Sequence, residues 1–301
     1  TFAEGNPFSS VSGNFKTMLG SVTEAVEHLG CGSPAVVSQD NALTMEHPRN
    51  VMVCTELPYY RDIGYADLSD FFYIWLRRSL KETYPQMFLP MVTSKEELST
   101  ASTYYGVSKE EAEEKYRADM KAVCEKLYAS SSEEYPALLF YCFRKNDLEC
   151  IKLGSAGGNQ SAWEFMLDSL LSAGFAISAV WPMRSEPVSE KADSTRVLIV
   201  ARKGEGRGGQ ITRRGFINTL KRELPEKLSR LWLGHIRPED ELLSCMGQGL
   251  SVFTSYESVL NADGSAMSVH DALQVIYLEC DDYIEQRKAA DSEDAAESKE
   301  E

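Results

Sequence analysis

"TELPYYRDIGYADLSDFFYIWLRR", residues 55–78, is the stretch on which the fold turns. It leaves an apolar run, passes through Pro58-Tyr59-Tyr60, and enters a segment where Leu68, Phe71, Phe72, Trp75 and Leu76 recur at helical spacing. The preceding "NVMVCTEL" (50–57) is a short apolar run bounded by turn residues, as expected of a buried strand. The order is therefore strand, acid, Pro-Tyr-Tyr, helix. It places the corner at the carboxyl end of a sheet strand, where open α/β sheets bind their ligands.

Working outward, helical and strand signals alternate, which favours a layered α/β domain over a bundle or a sandwich. Residues 14–30 have helical periodicity and end on Gly30, and "PAVVSQ" (34–39) is expected as a strand. Residues 86–107 form a long connection of the lid or substrate-loop kind. Ser108 with Glu111, and Ser161 with Glu164, are capping boxes that open helices. "PALLFYCF" (136–143) is a strand, and "LECIKLGSAGGNQ" (148–160) is expected as an irregular Gly-rich loop. Gly174 terminates the second capped helix. "FAISAVWPM" (175–183) and "TRVLIVARK" (195–203) read as neighbouring strands, a hairpin-like antiparallel edge on a mostly parallel sheet. After the Gly-rich 204–210 the chain becomes basic, amphipathic and helix-forming, with Pro225 kinking or interrupting the first helix. The expected organisation is an α/β domain over 1–205 with a loop and helix insertion at 86–130. A helical appendage over 206–287 and a disordered acidic tail over 288–301 follow.

A chain of 301 residues, 43% hydrophobic, can bury a full core, so fibrous and wholly disordered classes are excluded. No apolar run approaches the roughly 18 residues needed to cross a bilayer, and "TFAEGNPFSS" lacks the basic flank and apolar core of a signal peptide. A soluble, cytoplasmic protein is expected. Seven scattered cysteines without a Cys-x-x-Cys pair, and four histidines without ligand spacing, give no disulfide framework and no metal site. The net charge is −15. The tail 288–301 holds six acids and two lysines, so residues 1–287 still carry −11. Such a balance argues against binding nucleic acid through a broadly basic face, although basic clusters occur at Arg77, Arg78 and Lys81 and between Arg202 and Arg222.

The corner has the chemistry to hold a planar heterocycle that bears an amino group. Pro58 fixes its own φ and biases Leu57 away from helix, so a backbone carbonyl and the Glu56 carboxylate can be aimed into one cleft. Those two acceptors suit the two amino hydrogens, while the flat face of Tyr59 suits stacking.

The segment around "TELPYY" and its following helix resembles the Asp-Pro-Pro-Tyr-Tyr segment of a prokaryotic family of large adenine-specific DNA methylases. "FAEGNPFSSVSGNF", "AWEFMLDSLLSAGFAISAVWPMRSE" and "GQGLSVFTSYESVLNADGSAMSVHDALQVI" are similar to further segments of that family in the same order. The resemblance covers most of residues 1–287. It implies a Rossmann-like methyltransferase domain, S-adenosylmethionine as cofactor, and DNA with a flipped adenine as substrate, in a modification or phage-defence setting that can include partner subunits. Glu56, Leu57, Pro58 and Tyr59 stand where the family has Asp, Pro, Pro and Tyr. By the resemblance Tyr59 stacks on the adenine, and the Leu57 carbonyl and Glu56 carboxylate hold its amino group. Tyr60, Tyr65, Arg184 and Glu186 are candidate substrate contacts, with a solvated strand end the equal alternative for the last two. Asp40 and Asn41 are candidate cofactor contacts or a plain turn, and Asn6, in a segment similar to one of the family's, is a further candidate cofactor contact. A chain beginning at Thr1 is read as a fragment or processed product, with the family's Gly-rich methionine-binding loop expected upstream. "GSAGGNQ" (154–160) sits too late in the domain to replace it. The departures at Glu56 and Leu57 keep open an alternative, a catalytically impaired methyltransferase-like subunit for nucleic-acid binding or assembly. RNA or a small molecule is a further substrate class.

Overall fold

A computed structural model describes residues 9, 13–30, 32–46, 48–58, 64–95, 107–153, 160–183, 194–204, 207–232 and 236–297. The chain divides into two compact units, Thr1–Asp40 and Asn41–Glu301. In the first unit, helix α1 (Phe15–His28) begins where the Asn14 side chain accepts a hydrogen bond from Thr17 N–H at 3.0 Å. None of its residues is buried. Residues 34–39, expected as a buried strand, are not one: Val36 and Val37 are 96% and 91% exposed. A short apolar run needs a neighbour to pair with, and none is present for it among the described residues.

The second unit is built on a four-stranded sheet in the order β1-β2-β4-β3, with β1 Cys54–Glu56, β2 Ala137–Arg144, β3 Phe175–Met183 and β4 Ser194–Lys203. β1 pairs parallel with β2, whereas β2 with β4 and β3 with β4 are antiparallel. The sheet is thus mixed and mostly antiparallel in its pairings, which corrects the expected mostly parallel sheet with an antiparallel edge. The hairpin-like relation of β3 and β4 holds, but β4 folds back into the space between β3 and β2, leaving β3 at the edge. Its run of Val197, Leu198, Ile199, Val200 and Ala201 suits an interior position. One consequence governs the site. β1, β2 and β3 point the same way, so their carboxyl ends and the start of β4 share one edge.

Between the strands lie helices α2 (Tyr65–Leu80), α3 (Pro85–Phe88), α4 (Lys109–Ser130), α5 (Lys145–Leu153) and α6 (Ala162–Ser172). Both capping boxes form, on α4 and α6, and Gly174 ends the turn after α6 with φ +110°. Residues 145–153 are helical, correcting the irregular loop expected over 148–160; residues 154–159 lie outside the described set. Alternate residues of β2 enter the core: Ala137, Leu139, Tyr141 and Phe143 are buried. They join Tyr116, Met120, Val123 and Leu127 of α4 and Trp163, Met166, Leu167 and Leu170 of α6 in one apolar cluster. The opposite face, with Phe140, Cys142 and Leu198 half-buried and Trp181 and Met183 exposed, is covered less.

The segment expected as a helical appendage is α7 (Arg213–Trp232), α8 (Pro238–Phe253) and α9 (Val269–Glu297), with a two-stranded parallel ladder of β5 (Ile211–Thr212) and β6 (Val259–Leu260). Helix α7 continues through Pro225. Phe216, Leu220, Met246, Leu250, Leu273 and Ile276 belong to the same cluster as the sheet. Helix α8 closes the edge of β3: Thr254, its C-cap, accepts the Ile177 N–H through its hydroxyl at 3.0 Å, giving an edge-strand donor a partner. This approach needs a helix without a Cβ at one point, since a Cβ on Gly247 would lie 2.5 Å from the Val180 nitrogen. Gly247→Ala is therefore expected to lower stability. Overpacking of about 1–3 kcal/mol should exceed the roughly 1 kcal/mol gained in helix propensity, as read by denaturant unfolding.

Candidate functional site

The parallel ladder begins where Val53 C=O accepts Leu138 N–H at 2.8 Å and ends where Leu57 N–H donates to Phe140 C=O at 3.0 Å. β2 runs on for three to four residues after this point, about 10 Å of strand. The Glu56-Leu57-Pro58 corner therefore sits in a step at the carboxyl edge of the sheet, beside the projecting end of β2.

Three contacts hold it. The Leu57 side chain is 3% exposed and belongs to the core, so the corner is anchored by apolar packing as well as by the ladder. Pro58 offers its carbonyl to the hydroxyl of Tyr116, a buried residue of α4, at 2.9 Å. On the less covered face Glu56 forms an ion pair with Arg196 of β4 at 3.3 Å. Because β2 lies between β1 and β4, this pair spans the central strand. Both partners are more than half exposed, so the pair contributes little to stability and is open to exchange with a ligand.

Helix α2 leaves the corner with Tyr65 as its first residue, 44% exposed. Its polar side is tied to the returning chain. Asp70 accepts from Thr93 N–H at 2.8 Å and from Lys95 at 2.5 Å, while Tyr73 and Arg77 each donate to Pro90 C=O at 2.9 Å. The hydrogen bonds from Lys95 and Thr93 hold the Asp70 carboxyl at about 2, below its ordinary range. The tether is accordingly present above the unfolded value near 3.8 and lost as pH falls through about 2. The opposite stripe of α2, Leu68, Phe71, Phe72 and Trp75, is exposed.

Asp147 supports the projecting end of β2. It is 3% exposed, and its carboxylate accepts Arg144 N–H at 2.9 Å and Trp163 N–H at 3.4 Å, joining the end of β2 to the start of α6. Burial raises its pKa in spite of these bonds. Next to it, Glu164 caps α6 through Ser161 N–H and pairs at 2.8 Å with His270 Nδ1 at the start of α9.

Comparison with known protein families, with curated proteins and with solved structures finds no match to this chain.

Of the sequence-derived candidates, Glu56, Leu57 and Pro58 stand together at the corner. Tyr59, Tyr60, Arg184, Glu186 and Asn6 lie outside the described residues, although β3 ends at Met183 on this same edge. Asn41 is engaged in its own turn: its side-chain oxygen accepts Leu43 N–H at 2.9 Å and its carbonyl accepts Thr44 and Met45 N–H. Asp40 is exposed in the first unit. The chemistry below is confined to the adenine side. Among the described residues no group of His, Cys, Asp and Glu is placed to hold a metal, and no helix is long and apolar enough to cross a membrane.

Sequence reasoning missed Tyr116, Arg196 and Asp147. For Tyr116 a signal existed: Ala112, Tyr116, Met120, Val123 and Leu127 recur at helical spacing within a strongly charged helix. Two outcomes follow from the geometry. Leu57→Ala should lower stability by about 2–4 kcal/mol, and Leu57→Pro should lose in addition about 1 kcal/mol with the Phe140 hydrogen bond, both read by denaturant unfolding. A raised folded pKa at Asp147 means stability that is present below the unfolded value of 3.8 and lost as pH rises through the folded one. Against a constant loss, the deficit of Asp147→Asn in melting temperature should therefore shrink as pH is raised from about 4 to about 7.

Proposed function

We propose that this chain carries the adenine-holding part of an S-adenosylmethionine-dependent methyltransferase acting on the exocyclic amino group of adenine in DNA, of the modification or phage-defence type. The observation that carries the reading is the position of the Glu56-Leu57-Pro58 corner. It lies at the carboxyl edge of a parallel strand pair, in a step beside the projecting end of β2, with a helix following. The resemblance of residues 55–78 to the methylase motif supports the same assignment, and with it a Rossmann-like domain.

In this reading the chain acts by positioning. The Glu56 carboxylate and Leu57 carbonyl accept the two amino hydrogens and turn the nitrogen lone pair out of conjugation with the ring. Tyr59 stacks on the base, which enters the step only when it is unstacked from its strand. Arg196 competes with the amino group for Glu56, so substrate entry exchanges one exposed ion pair for hydrogen bonds in a less solvated place. Arg144 and Lys145, at the end of β2, put positive charge on this edge of an otherwise acidic chain, as a phosphate backbone requires.

One observation favours the impaired-subunit reading as the second. Leu57 donates its N–H to the ladder and buries its side chain, at the place where the family has a proline without an N–H. The corner is therefore built around Leu57 as a packing residue.

Transfer of labelled methyl from S-adenosylmethionine to an adenine-containing duplex, abolished by Tyr59→Ala, is the expected result. Absence of transfer together with absence of cofactor binding by calorimetry contradicts the enzyme reading.

A further inference from the structure

We propose that Tyr116 is a positioning residue for the corner, setting the direction in which the chain leaves Pro58 toward Tyr59; the catalytic consequence rests on the adenine-holding reading above. Tyr116 is 58 residues away in sequence, on α4, and 1% exposed. Its ring packs 6.1 Å from that of Phe165 and lies within the apolar cluster, so the phenol is held on both the helix and the sheet side. A buried hydroxyl needs a partner, and here it donates to the Pro58 carbonyl at 2.9 Å.

The choice of that carbonyl matters. The pyrrolidine ring sets φ of Pro58, which leaves ψ as the soft dihedral of this residue. The orientation of its carbonyl reports ψ directly, because the peptide that follows is planar. The Tyr116 hydroxyl therefore fixes what the ring leaves free. With Leu57 pinned by the ladder and the core, both dihedrals at Pro58 are defined from the packed side of the sheet. Glu56 is steered by Arg196 from the other face. The hydroxyl also draws the Pro58 carbonyl toward the packed layer, which separates its role from that of the Leu57 carbonyl in the adenine-holding reading.

A purely structural tyrosine and a positioning tyrosine differ in what the loss of one oxygen does. Tyr116→Phe keeps the ring and removes the hydroxyl that donates to the Pro58 carbonyl. Three readouts on the full chain separate the roles: unfolding, hydrogen exchange of peptides spanning residues 55–65, and steady-state methyl transfer to an adenine duplex. Positioning predicts exchange in 55–65 faster by about fivefold, kcat lower by about 10- to 100-fold, and KM for the duplex within about threefold of wild type. Wild-type transfer with a Tyr116→Phe variant equal to wild type in exchange and kcat overturns the assignment of Tyr116 alone. A matched fall in kcat with exchange raised uniformly over the chain overturns it too, in favour of a general stability role. A wild-type protein that transfers no methyl group overturns the adenine-holding reading and the catalytic consequence with it. Exchange in 55–65 then still decides whether Tyr116 sets the corner.

Discussion

The hydrogen bond from Leu57 N–H to the Phe140 carbonyl closes the short parallel ladder of β1 on β2, and the site descends from that register. β1 has only three residues, Cys54–Glu56, so its own pairing is modest. Its position is secured by burial of Val53 and Leu57 on either side of it and by the bridge between Val51 and Ser131 that leads into it. Moving β1 by one residue would carry Glu56 from the open face into the core and Leu57 out of it. The register thus decides both that the carboxylate faces solvent and that the chain turns in the step beside β2.

Around this register the sheet has two unlike faces. One is filled by α4 and α6, whose Tyr116, Met120, Trp163 and Leu167 meet the odd-numbered residues of β2. The other displays Glu56, Phe140, Cys142, Arg196 and Leu198. A side chain on the packed face can set the backbone without touching a ligand, and one on the open face can meet it. Tyr116 and Arg196 divide in this way about the same three-residue corner. The net charge of −15 is consistent with a local arrangement of this kind, because positive groups at one sheet edge act at short range while the acids elsewhere are screened.

Much of this was legible in the residues. Local chemistry announces itself, so the capping boxes at Ser108 and Ser161, the turn at Gly174, the strand through Leu139 and the helix after the Pro-Tyr-Tyr corner all follow from near-neighbour patterns. Partners distant in sequence do not announce themselves. The continuous apolar run of β4 suits an interior place, but it does not say which two strands β4 lies between. Residues 34–39 have a strand's composition and no strand's neighbour among the described residues. The role of Leu57 was read from its carbonyl, whereas its side chain belongs to the core. Tyr116 and Arg196 lie 58 and 140 residues from the groups they hold, and only the fold brings them there.

The central claim is that this corner holds an adenine. Its most direct test replaces one adenine of a duplex by 5-iodouracil and irradiates the complex with the full chain, mapping the adduct by peptide mass. An unstacked base in the step is predicted to crosslink at Tyr59, in the presence of a duplex that competes when it contains adenine and fails to compete when it does not. Adducts confined to basic residues remote from the corner, such as those of α7, would contradict the account.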